Sequence, residues 1–476
     1  MVEQQDSGLK KSLKFIYVYA IATGAIFTFV GYWDTTFINY CGPATFLAFA
    51  LMTLAVLPIA FVYCELAPMF PEAGAELVYN TVGINKHVGF FSSWFIMMAW
   101  VAVPPAAVMA IIKWVVHVLN INLSYTTIML IGIALIIIYC IISLLDIQVA
   151  GKLQTAMLIG AIFGCIATSI LLIFFSGQWS FSNFTEGGFF QSTQGNGGFG
   201  GWCIGLALII TPYFGFETVP QMVEEGDFPI KDSTKAIWGS VVTCGIIYTL
   251  LFFAIGGLAP WDQLTNLTSS YADGIHSGTD GFVTIIAMEE LLGWRVWASI
   301  YGIFAILCAI GTCILGFWLS TVRLIYAMGR SNYLPKAFCK VNKHHQPILP
   351  NIFLAVISII FLLTQQESTF MASFFNLMAF GCGLTYFITS ISSFTWKKKH
   401  PNWVSPYKVP GGNFMKVLAL LISVAIAVGT CIGQQWGSWV CFIVYVGIGV
   451  LLWITMLFKW RTTKVRWMTP DGYMEF

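Results

Sequence analysis

The sequence predicts an all-α polytopic membrane protein, and three observations define this fold class. Hydrophobic residues make up 58% of the 476 residues and charged residues only 9%, and the mean hydropathy is +0.80; these values exclude an ordinary water-soluble domain. Apolar stretches long enough to cross a hydrocarbon core of roughly 30 Å recur along nearly the whole chain. Two of these stretches, the first and the sixth, are interrupted at matching places.

About twelve such stretches of roughly 20 residues each can be counted, which predicts about twelve transmembrane helices. In chain order the predicted spans are 14–38, 44–67, 87–119, 126–145, 147–175, 198–225, 234–258, 296–330, 348–364, 369–394, 414–432 and 436–459. We expect the first five spans to form one repeat at 14–175 and the next five a second repeat at 198–394. The last two spans, at 414–459, then follow as additional helices.

Lysine and arginine are distributed unevenly over the predicted loops. The N-terminal tail, 1–13, is polar and basic, and the loops on its side of the membrane contain Lys86, Lys231, Lys235, Arg330, Lys336, Lys340, Lys343, Lys397, Lys398, Lys399, Lys408, Lys459, Arg461, Lys464 and Arg466. The opposite loops contain only Arg295. The positive-inside rule therefore predicts a multi-pass protein of the cell membrane whose N-terminal tail and C-terminal tail, 460–476, are both cytoplasmic. Topology explains the net charge of +2, so we expect no nucleic-acid partner.

Neither the cysteines nor the histidines are spaced as metal ligands. The cysteines lie mostly inside apolar spans, and the loop between spans three and four, 120–124, contains none; we therefore expect no disulfide-linked partner subunit. The histidines do not form a ligand motif, and no glycine-rich nucleotide-binding pattern follows a predicted strand. We expect no metal, no cofactor and no enzymatic activity.

The two interruptions are the strongest functional signal in the sequence. The first comprises Thr23, Gly24, Ala25, Ile26 and Phe27, and the second comprises Tyr213, Phe214, Gly215, Phe216 and Glu217. A break in a membrane helix frees backbone N–H and C=O groups that hydrocarbon cannot satisfy but a polar solute or ion can. Since glycine is also common where membrane helices pack closely, one interruption alone would mean little. Two interruptions in register favour a substrate site.

The spacing of the interruptions also predicts how the two halves are related. Spans one and six are five spans apart, so the simplest internal repeat is five spans long. A repeat with an odd number of spans enters the membrane from opposite sides in its two copies. This predicts an inverted 5+5 repeat with a binding site near mid-membrane between the halves.

Three segments resemble the amino acid, polyamine and organocation (APC) transporters. They are YCELAPMFPEAG at 63–74, which is similar to the family signature E-L-x-x-x-x-P-x-x-G, FGFE at 214–217 followed by Glu224 and Glu225, and RLIYAMGR at 323–330 followed by Leu334 and Pro335. The resemblance covers most of residues 14–394. It implies the LeuT-like fold of two inverted five-helix repeats, alternating access, and amino acids or related amines as cargo. The expected function is a secondary active transporter, either a proton-coupled symporter or an exchanger.

The first interruption departs from the family pattern. The family usually carries Gly-Ser/Thr-Gly-Ile-Phe there, whereas this chain has Thr23 and Ala25 at the positions of the outer glycines. Two added side chains crowd the place where the backbone should approach a substrate carboxylate most closely. A carrier of carboxylate-free amines such as ethanolamine or polyamines is therefore the alternative. An intramembrane enzyme or a receptor is a further alternative, but no paired catalytic groups at mid-membrane support it.

Glu217 and Trp100 are the side chains expected to line the substrate pocket together with the second interruption. An ionisable group deep in an apolar span costs several kcal/mol unless it has a partner or faces water. Glu217 therefore either gates span six or pairs with the cargo's ammonium group, or it accepts the N–H groups freed by the break. Aromatic faces attract an ammonium group, which favours Trp100 and the aromatic residues of the break as pocket walls.

Lys152, near the cytoplasmic start of span five, is the candidate for ion coupling together with Glu217. It resembles the lysine that some proton-coupled or exchanging family members place where sodium lies in sodium-coupled relatives. The resemblance implies that its ammonium holds carbonyls of the first interruption and the hydroxyl of Ser320 or Thr321 in span eight, and loses a proton during transport. The alternative is a lysine at a helix end whose charge reaches the interface.

Two further sets of acidic residues are expected to act in structure or gating. Glu224 and Glu225 should meet cytoplasmic lysine or arginine residues. Asp34 follows the first interruption and is expected to be a helix-end carboxylate at the external interface.

Overall fold

The computed structural model of the protein describes residues 8–27, 31–269, 282–364, 368–432, 434, 436–460 and 466–475. The described residues are almost entirely helical, as the sequence predicts. The exception is a two-stranded antiparallel hairpin near the C-terminus, formed by β1 (Arg466–Thr469) and β2 (Gly472–Glu475). The sequence pattern predicts only a cytoplasmic tail in this region.

The helices, numbered in chain order, are α1 (Phe15–Ile26), α2 (Asp34–Cys41), α3 (Thr45–Leu66), α4 (Glu76–Gly83), α5 (Lys86–Leu119), α6 (Tyr125–Leu144), α7 (Ile147–Phe175), α8 (Gly198–Leu208), α9 (Thr218–Met222), α10 (Ser233–Gly256), α11 (Trp261–Ser269), α12 (Val283–Glu290), α13 (Arg295–Gly302), α14 (Gly311–Arg330), α15 (Ile348–Leu363), α16 (Ser368–Lys399), α17 (Asn413–Gly429) and α18 (Trp436–Trp460). A π-helical segment, Ile303–Ile310, joins α13 to α14. Each predicted span falls on one of these helices or on a consecutive group of them.

Eight helical stretches among the described residues are long and apolar enough to cross a membrane. They are Asp34–Leu66, Lys86–Leu119, Tyr125–Leu144, Ile147–Phe175, Gly198–Glu225, Ile230–Gly256, Arg295–Arg330 and Trp436–Lys459. Three shorter apolar helices are α1, α15 and α17. This composition is that of a polytopic helical membrane protein.

Short polar residues determine where several of the long helices begin. The Asn85 side chain accepts the backbone N–H groups of His87 and Val88 at the start of α5, both at 3.0 Å. Asp146 accepts the Gln148 N–H at 2.8 Å at the start of α7. These side chains satisfy donors that have no partner within the first helical turn.

Helix α1 lies at the centre of the bundle. It packs against α7, α10 and α14, and every residue from Ala20 to Ile26 is buried. A short helix whose second half is buried among longer ones is positioned to contribute backbone atoms to an internal site rather than to face lipid.

The second interruption is present in the structure, whereas four of the five residues of the first, 23–26, are helical and form the last turn of α1. α1 ends at Ile26, and the next helix among the described residues, α2, begins at Asp34. α8 ends at Leu208, a single 3-10 turn follows, and α9 begins only at Thr218. Between them the backbone is extended at Phe214 and enters the left-handed half of conformational space at Gly215, with φ at +137°.

Candidate substrate site

The two interruptions contact each other through their backbones. A methyl group built on Gly215 would lie 2.7 Å from the Ile26 nitrogen and 2.8 Å from the Ala25 carbonyl carbon. Neither distance leaves room for a side chain, and the positive φ also favours glycine. Gly316 of α14 approaches Ala25 from another direction, where a methyl group would lie 3.0 Å from the Ala25 Cβ. Glycine in the second interruption thus permits the contact with the first.

Glu217 lies beside this contact and is fully buried. Its Oε2 accepts the Gly215 N–H at 2.9 Å, and its Oε1 accepts the Trp100 indole N–H at 3.3 Å. The carboxylate therefore takes up one of the N–H groups freed by the break, which is the structural role considered for it above. Each carboxylate oxygen can accept more than one hydrogen bond, so a cargo ammonium group could still bind there.

Aromatic residues from three elements surround the second interruption. The Phe216 ring stacks on that of Tyr386 in α16, with centroids 5.6 Å apart, and meets the ring of Tyr63 in α3 edge-on at 5.4 Å. Phe214 lies 6.0 Å from the Tyr386 ring. Sequence reasoning missed Tyr63 and Tyr386. Tyr63 stands two residues before Glu65 of the family motif, but nothing in the sequence marks Tyr386.

Tyr213 is fixed to α3. Its hydroxyl donates to the Phe49 carbonyl at 2.7 Å and contacts the Thr53 hydroxyl at 2.7 Å. This bonding anchors the start of the second interruption against α3.

The end of α1 is held by side chains of α10. The Tyr248 hydroxyl donates to the Ile26 carbonyl at 2.5 Å, and the Cys244 thiol lies 3.4 Å from the Thr23 carbonyl. The Thr23 hydroxyl bonds within its own helix, to the Tyr19 carbonyl at 2.7 Å. α10 therefore supplies a partner for the Ile26 carbonyl, whereas the Thr23 carbonyl also accepts the Phe27 N–H.

The structure does not place Lys152 at the first interruption. The expectation that its ammonium group holds carbonyls there is therefore corrected. The Lys152 side chain is exposed, whereas Gln154, two residues later, is fully buried. The Gln154 amide donates to the Ala20 carbonyl at 3.3 Å and to the Thr312 carbonyl at 2.8 Å. Since residues two apart on a helix point about 200° away from each other, only one of them can face α1. Gln154 therefore bridges α1 and α14 without a charge.

Ser320 and Thr321 also bond differently from the expectation. The Ser320 hydroxyl donates to the Gly316 carbonyl at 2.9 Å, and the Thr321 hydroxyl donates to the Phe317 carbonyl at 2.7 Å, both within α14. The residues proposed for coupling are thus not brought together in this conformation. Gly24 instead packs against Thr312, whose hydroxyl lies 3.4 Å from the Gly24 carbonyl.

Glu224 and Glu225 meet arginine residues, as predicted. Arg330 makes two hydrogen bonds to Glu224, at 2.6 and 3.0 Å. Arg323 makes two to Glu225, at 2.7 and 3.1 Å, and this pair is almost completely buried. The N-terminal segment covers it, because the Leu13 N–H donates to the Glu225 carbonyl at 2.9 Å. These contacts join α14 to the end of the sixth predicted span.

Polar contacts also join helices near the start of α2. Asp34 is buried as the first residue of α2, where it accepts the Gly31 N–H at 2.8 Å and the Thr284 hydroxyl of α12. His117 at the end of α5 contacts Glu289 of α12 at 3.0 Å. Asp34 is therefore an internal helix-start carboxylate and not an exposed one.

Comparison with known proteins identifies the family. The amino acid permease family matches residues 13–458 of this chain. The glutamate/serine transporter AimA of Bacillus subtilis is 24% identical over 88% of this chain and 77% of that protein. The gamma-aminobutyric acid permease of the same organism is 25% identical over 84% of this chain and 82% of that protein. The lysine-specific permease LysP of Lactococcus lactis is 26% identical over 97% of this chain and 92% of that protein. Since the match spans both interruptions and nearly the whole chain, the protein belongs to the amino acid permease family of the APC transporters.

Proposed function

We propose that this secondary amino acid transporter binds its cargo where the two interruptions meet and moves it by alternating access, as a proton-coupled symporter or an exchanger. The close approach of Gly215 to Ile26, with Glu217 beside it, is the observation that supports this site. At that point the last turn of α1, the non-helical backbone of the second interruption, a carboxylate and several aromatic rings lie close together. Such a group of atoms suits a small polar molecule in an otherwise apolar bundle.

The proposed topology has twelve spans in the cell membrane, with the inverted repeats at 14–175 and 198–394 and two further helices at 414–459. Both tails are proposed to be cytoplasmic. Two contacts support this. Near the N-terminus, Leu13 contacts Glu225. Near the C-terminus, the Met468 N–H of β1 donates to Glu72 at 3.1 Å, and Glu72 lies 3.6 Å from Arg330, the residue that pairs with Glu224. These contacts support the proposal that segments near both termini lie on one side of the bundle, as an even number of spans would require.

The cargo is proposed to carry an amine. Glu217 contributes a buried negative charge, and the faces of Trp100 and Phe216 can attract a cation. An acidic cargo without a compensating charge would be repelled. The named relatives carry cargoes as different as glutamate, serine, gamma-aminobutyric acid and lysine. We therefore propose a small zwitterionic amino acid.

A carboxylate-free amine is the second candidate cargo. The Ala25 side chain occupies space at the first interruption, since its Cβ lies 2.9 Å from where a methyl group on Gly215 would be. Less room is left there for a carboxylate to approach the backbone. No disulfide-linked partner subunit is proposed for either cargo, because the loop at 120–124 contains no cysteine.

A two-stage experiment tests this proposal. The purified protein is screened by thermal shift against amino acids, ethanolamine and polyamines, because a ligand at a hundred times its Kd stabilises the folded state by about 2.7 kcal/mol. Compounds that stabilise the protein are then tested for counterflow in liposomes. Stabilisation and counterflow by an amino acid support the main proposal, and the same results with amines alone support the second candidate. A folded protein that shows neither response to any compound contradicts both.

A further inference from the structure

A second buried carboxylate, Glu76, lies between the substrate site and the Arg330 ion pair. Glu76 is the first residue of α4 and is fully buried. Its Oε2 accepts the Gln221 amide N–H at 3.0 Å, and Gln221 in turn accepts the Gly74 N–H at 2.9 Å. Its other oxygen, Oε1, has no hydrogen-bond partner among the described residues. An ionised carboxylate in this setting would be strongly destabilised.

Three tyrosine hydroxyl groups near Glu76 are also buried without a hydrogen-bond partner among the described residues. They are those of Tyr63, Tyr79 and Tyr386. Their rings form a row, with centroids 6.3 Å apart from Tyr79 to Tyr63 and 6.0 Å from Tyr63 to Tyr386. Tyr386 then stacks on Phe216, the neighbour of Glu217. Hydroxyl groups that can both donate and accept therefore follow one another from Glu76 toward the substrate site.

The titratable groups that face Glu76 come from every neighbouring element. They are Tyr63 of α3, Tyr79 of α4, Cys382 and Tyr386 of α16, and Glu217 at the start of α9. Among the described residues Glu76 forms no ion pair with lysine or arginine. Burial, together with the nearby charge of Glu217, raises the pKa of Glu76 to about 8. Near neutral pH the protonated form is therefore well populated in this conformation.

The two carboxylates are unequal as proton acceptors. Glu217 receives an N–H donor on each oxygen, from Trp100 and from Gly215. Donors of this kind stabilise the ionised form. Glu76 accepts a side-chain hydrogen bond on Oε2 only, which leaves Oε1 available for a proton.

We propose that Glu76 is the proton-binding residue of the transporter, protonated while the Arg330–Glu224 ion pair is closed and deprotonated toward the cytoplasm when that pair opens. This inference rests on the proposed function and specifies its coupling ion. The path is short, because the Ala73 N–H donates to Glu224 at 2.7 Å and Gly74 contacts the Gln221 that binds Glu76. In each cycle one O–H bond of Glu76 breaks while the pair is open, and the proton passes to water on the cytoplasmic side. After the pair has closed again, the carboxylate takes up a proton from water that reaches the site from the opposite side.

The test compares two assays on Glu76→Gln, which removes the proton site but keeps the shape, in liposomes. Counterflow of the cargo at equal pH on both sides needs no net proton movement, whereas accumulation against a gradient requires proton coupling. We expect Glu76→Gln to retain counterflow within about twofold, without pH dependence between pH 6 and 9, and to lose at least about tenfold in proton-driven accumulation. Glu186→Gln, on an exposed loop, is the matched control and should behave as wild type.

The outcomes separate this inference from the proposed function. Wild-type protein without counterflow contradicts the proposed function itself. Three other results overturn only the role of Glu76. The first is wild-type counterflow without proton-driven accumulation. The others are a Glu76→Gln protein that accumulates cargo normally, and one that is folded but has lost counterflow. If Glu76→Gln does not fold, Glu76→Asp is tested in its place. We expect Glu76→Asp to accumulate cargo with a shifted pH dependence of accumulation. An unchanged pH dependence overturns the inference.

Discussion

The backbone nitrogen of Ile26 lies so close to Gly215 that a methyl group on residue 215 would be only 2.7 Å away. Each residue belongs to the interruption of its own helical span, and the two spans are far apart in sequence. Their contact joins the two halves of the chain where α1 ends and where the sixth predicted span is not helical. We interpret this contact as the floor of the substrate site.

Gly215→Ala is expected to reduce cargo counterflow about tenfold or more. The added methyl group must displace the first interruption, and overpacking of this kind costs about 1–3 kcal/mol. The measurement is the initial rate of counterflow at equal amounts of reconstituted protein. Gly200→Ala in α8 is the control, because a methyl group there has no neighbour within 4 Å among the described residues. Equal rates for the two variants would show that the approach of the two breaks is unimportant for transport.

Lys152→Gln and Gln154→Leu are expected to differ in their effect on stability. Gln154→Leu removes the two hydrogen bonds to the Ala20 and Thr312 carbonyls, each of which contributes about 0.5–1.5 kcal/mol to stability. Lys152 is exposed, so Lys152→Gln should leave the thermal midpoint unchanged. From the family resemblance we still predict that Lys152→Gln abolishes transport or removes its pH dependence. Wild-type uptake and pH profile in that variant would refute the coupling role of Lys152.

Removing one partner of the Arg323–Glu225 pair should destabilise the protein strongly. Arg323→Ala leaves the Glu225 carboxylate buried without its partner, a change that costs about 3–5 kcal/mol. The double variant Arg323→Met with Glu225→Leu should recover most of the loss, since no buried charge remains. Asp232→Ala, which breaks an exposed pair with Lys235, should cost at most about 1 kcal/mol. Thermal unfolding in one detergent compares all four proteins, and similar midpoints for Arg323→Ala and Asp232→Ala would contradict the burial argument.

Docking of the C-terminal hairpin should weaken as the pH rises. Burial raises the pKa of Glu72, which accepts the Met468 N–H, to about 7 from its ordinary 4.5. The docked state therefore binds this proton more tightly than the undocked state. The contribution of Glu72 protonation to the free energy of docking is complete below pH 4.5. It is lost as the pH rises through about 7, and the free energy of docking then changes by up to about 1.4 kcal/mol per pH unit. Hydrogen exchange of 466–475, corrected for intrinsic rates, should show less protection at pH 8 than at pH 5.5.

Glu72→Gln is the control for the hairpin experiment. Without a titratable group at residue 72, protection of the hairpin should no longer change over this pH range. Protection that rises with pH in the wild type, or an unchanged pH dependence in Glu72→Gln, would assign the effect to another group.

The sequence predicted the positions of the helices and of the second interruption, because these depend on local patterns, whereas the first interruption lies mostly within the last turn of α1. Apolar runs and basic loops mark the spans, and glycine at residues 24 and 215 marks places where backbone approach matters. The expected arginine partners of Glu224 and Glu225 were also found, since buried acids in a membrane protein need a cation nearby.

What the sequence did not predict depends on helix rotation and on distant packing. The proposed geometry of Lys152 failed because a resemblance at one position does not say which face of α7 meets α1, and Gln154 faces it instead. Tyr386 and Glu76 come together with the second interruption only because α16, α4 and α9 pack at one point. The hairpin of β1 and β2 was missed since its strands are only four residues long.

The central claim is that the two interruptions together hold the cargo. The most direct test is an experimental structure determined with the compound that gives the largest thermal stabilisation. We predict that the ligand lies between the backbone of residues 25–27 and that of residues 214–217, with its amine within hydrogen-bond distance of Glu217 or of a freed carbonyl. A ligand bound elsewhere, or spans one and six running without a break around it, would contradict the account.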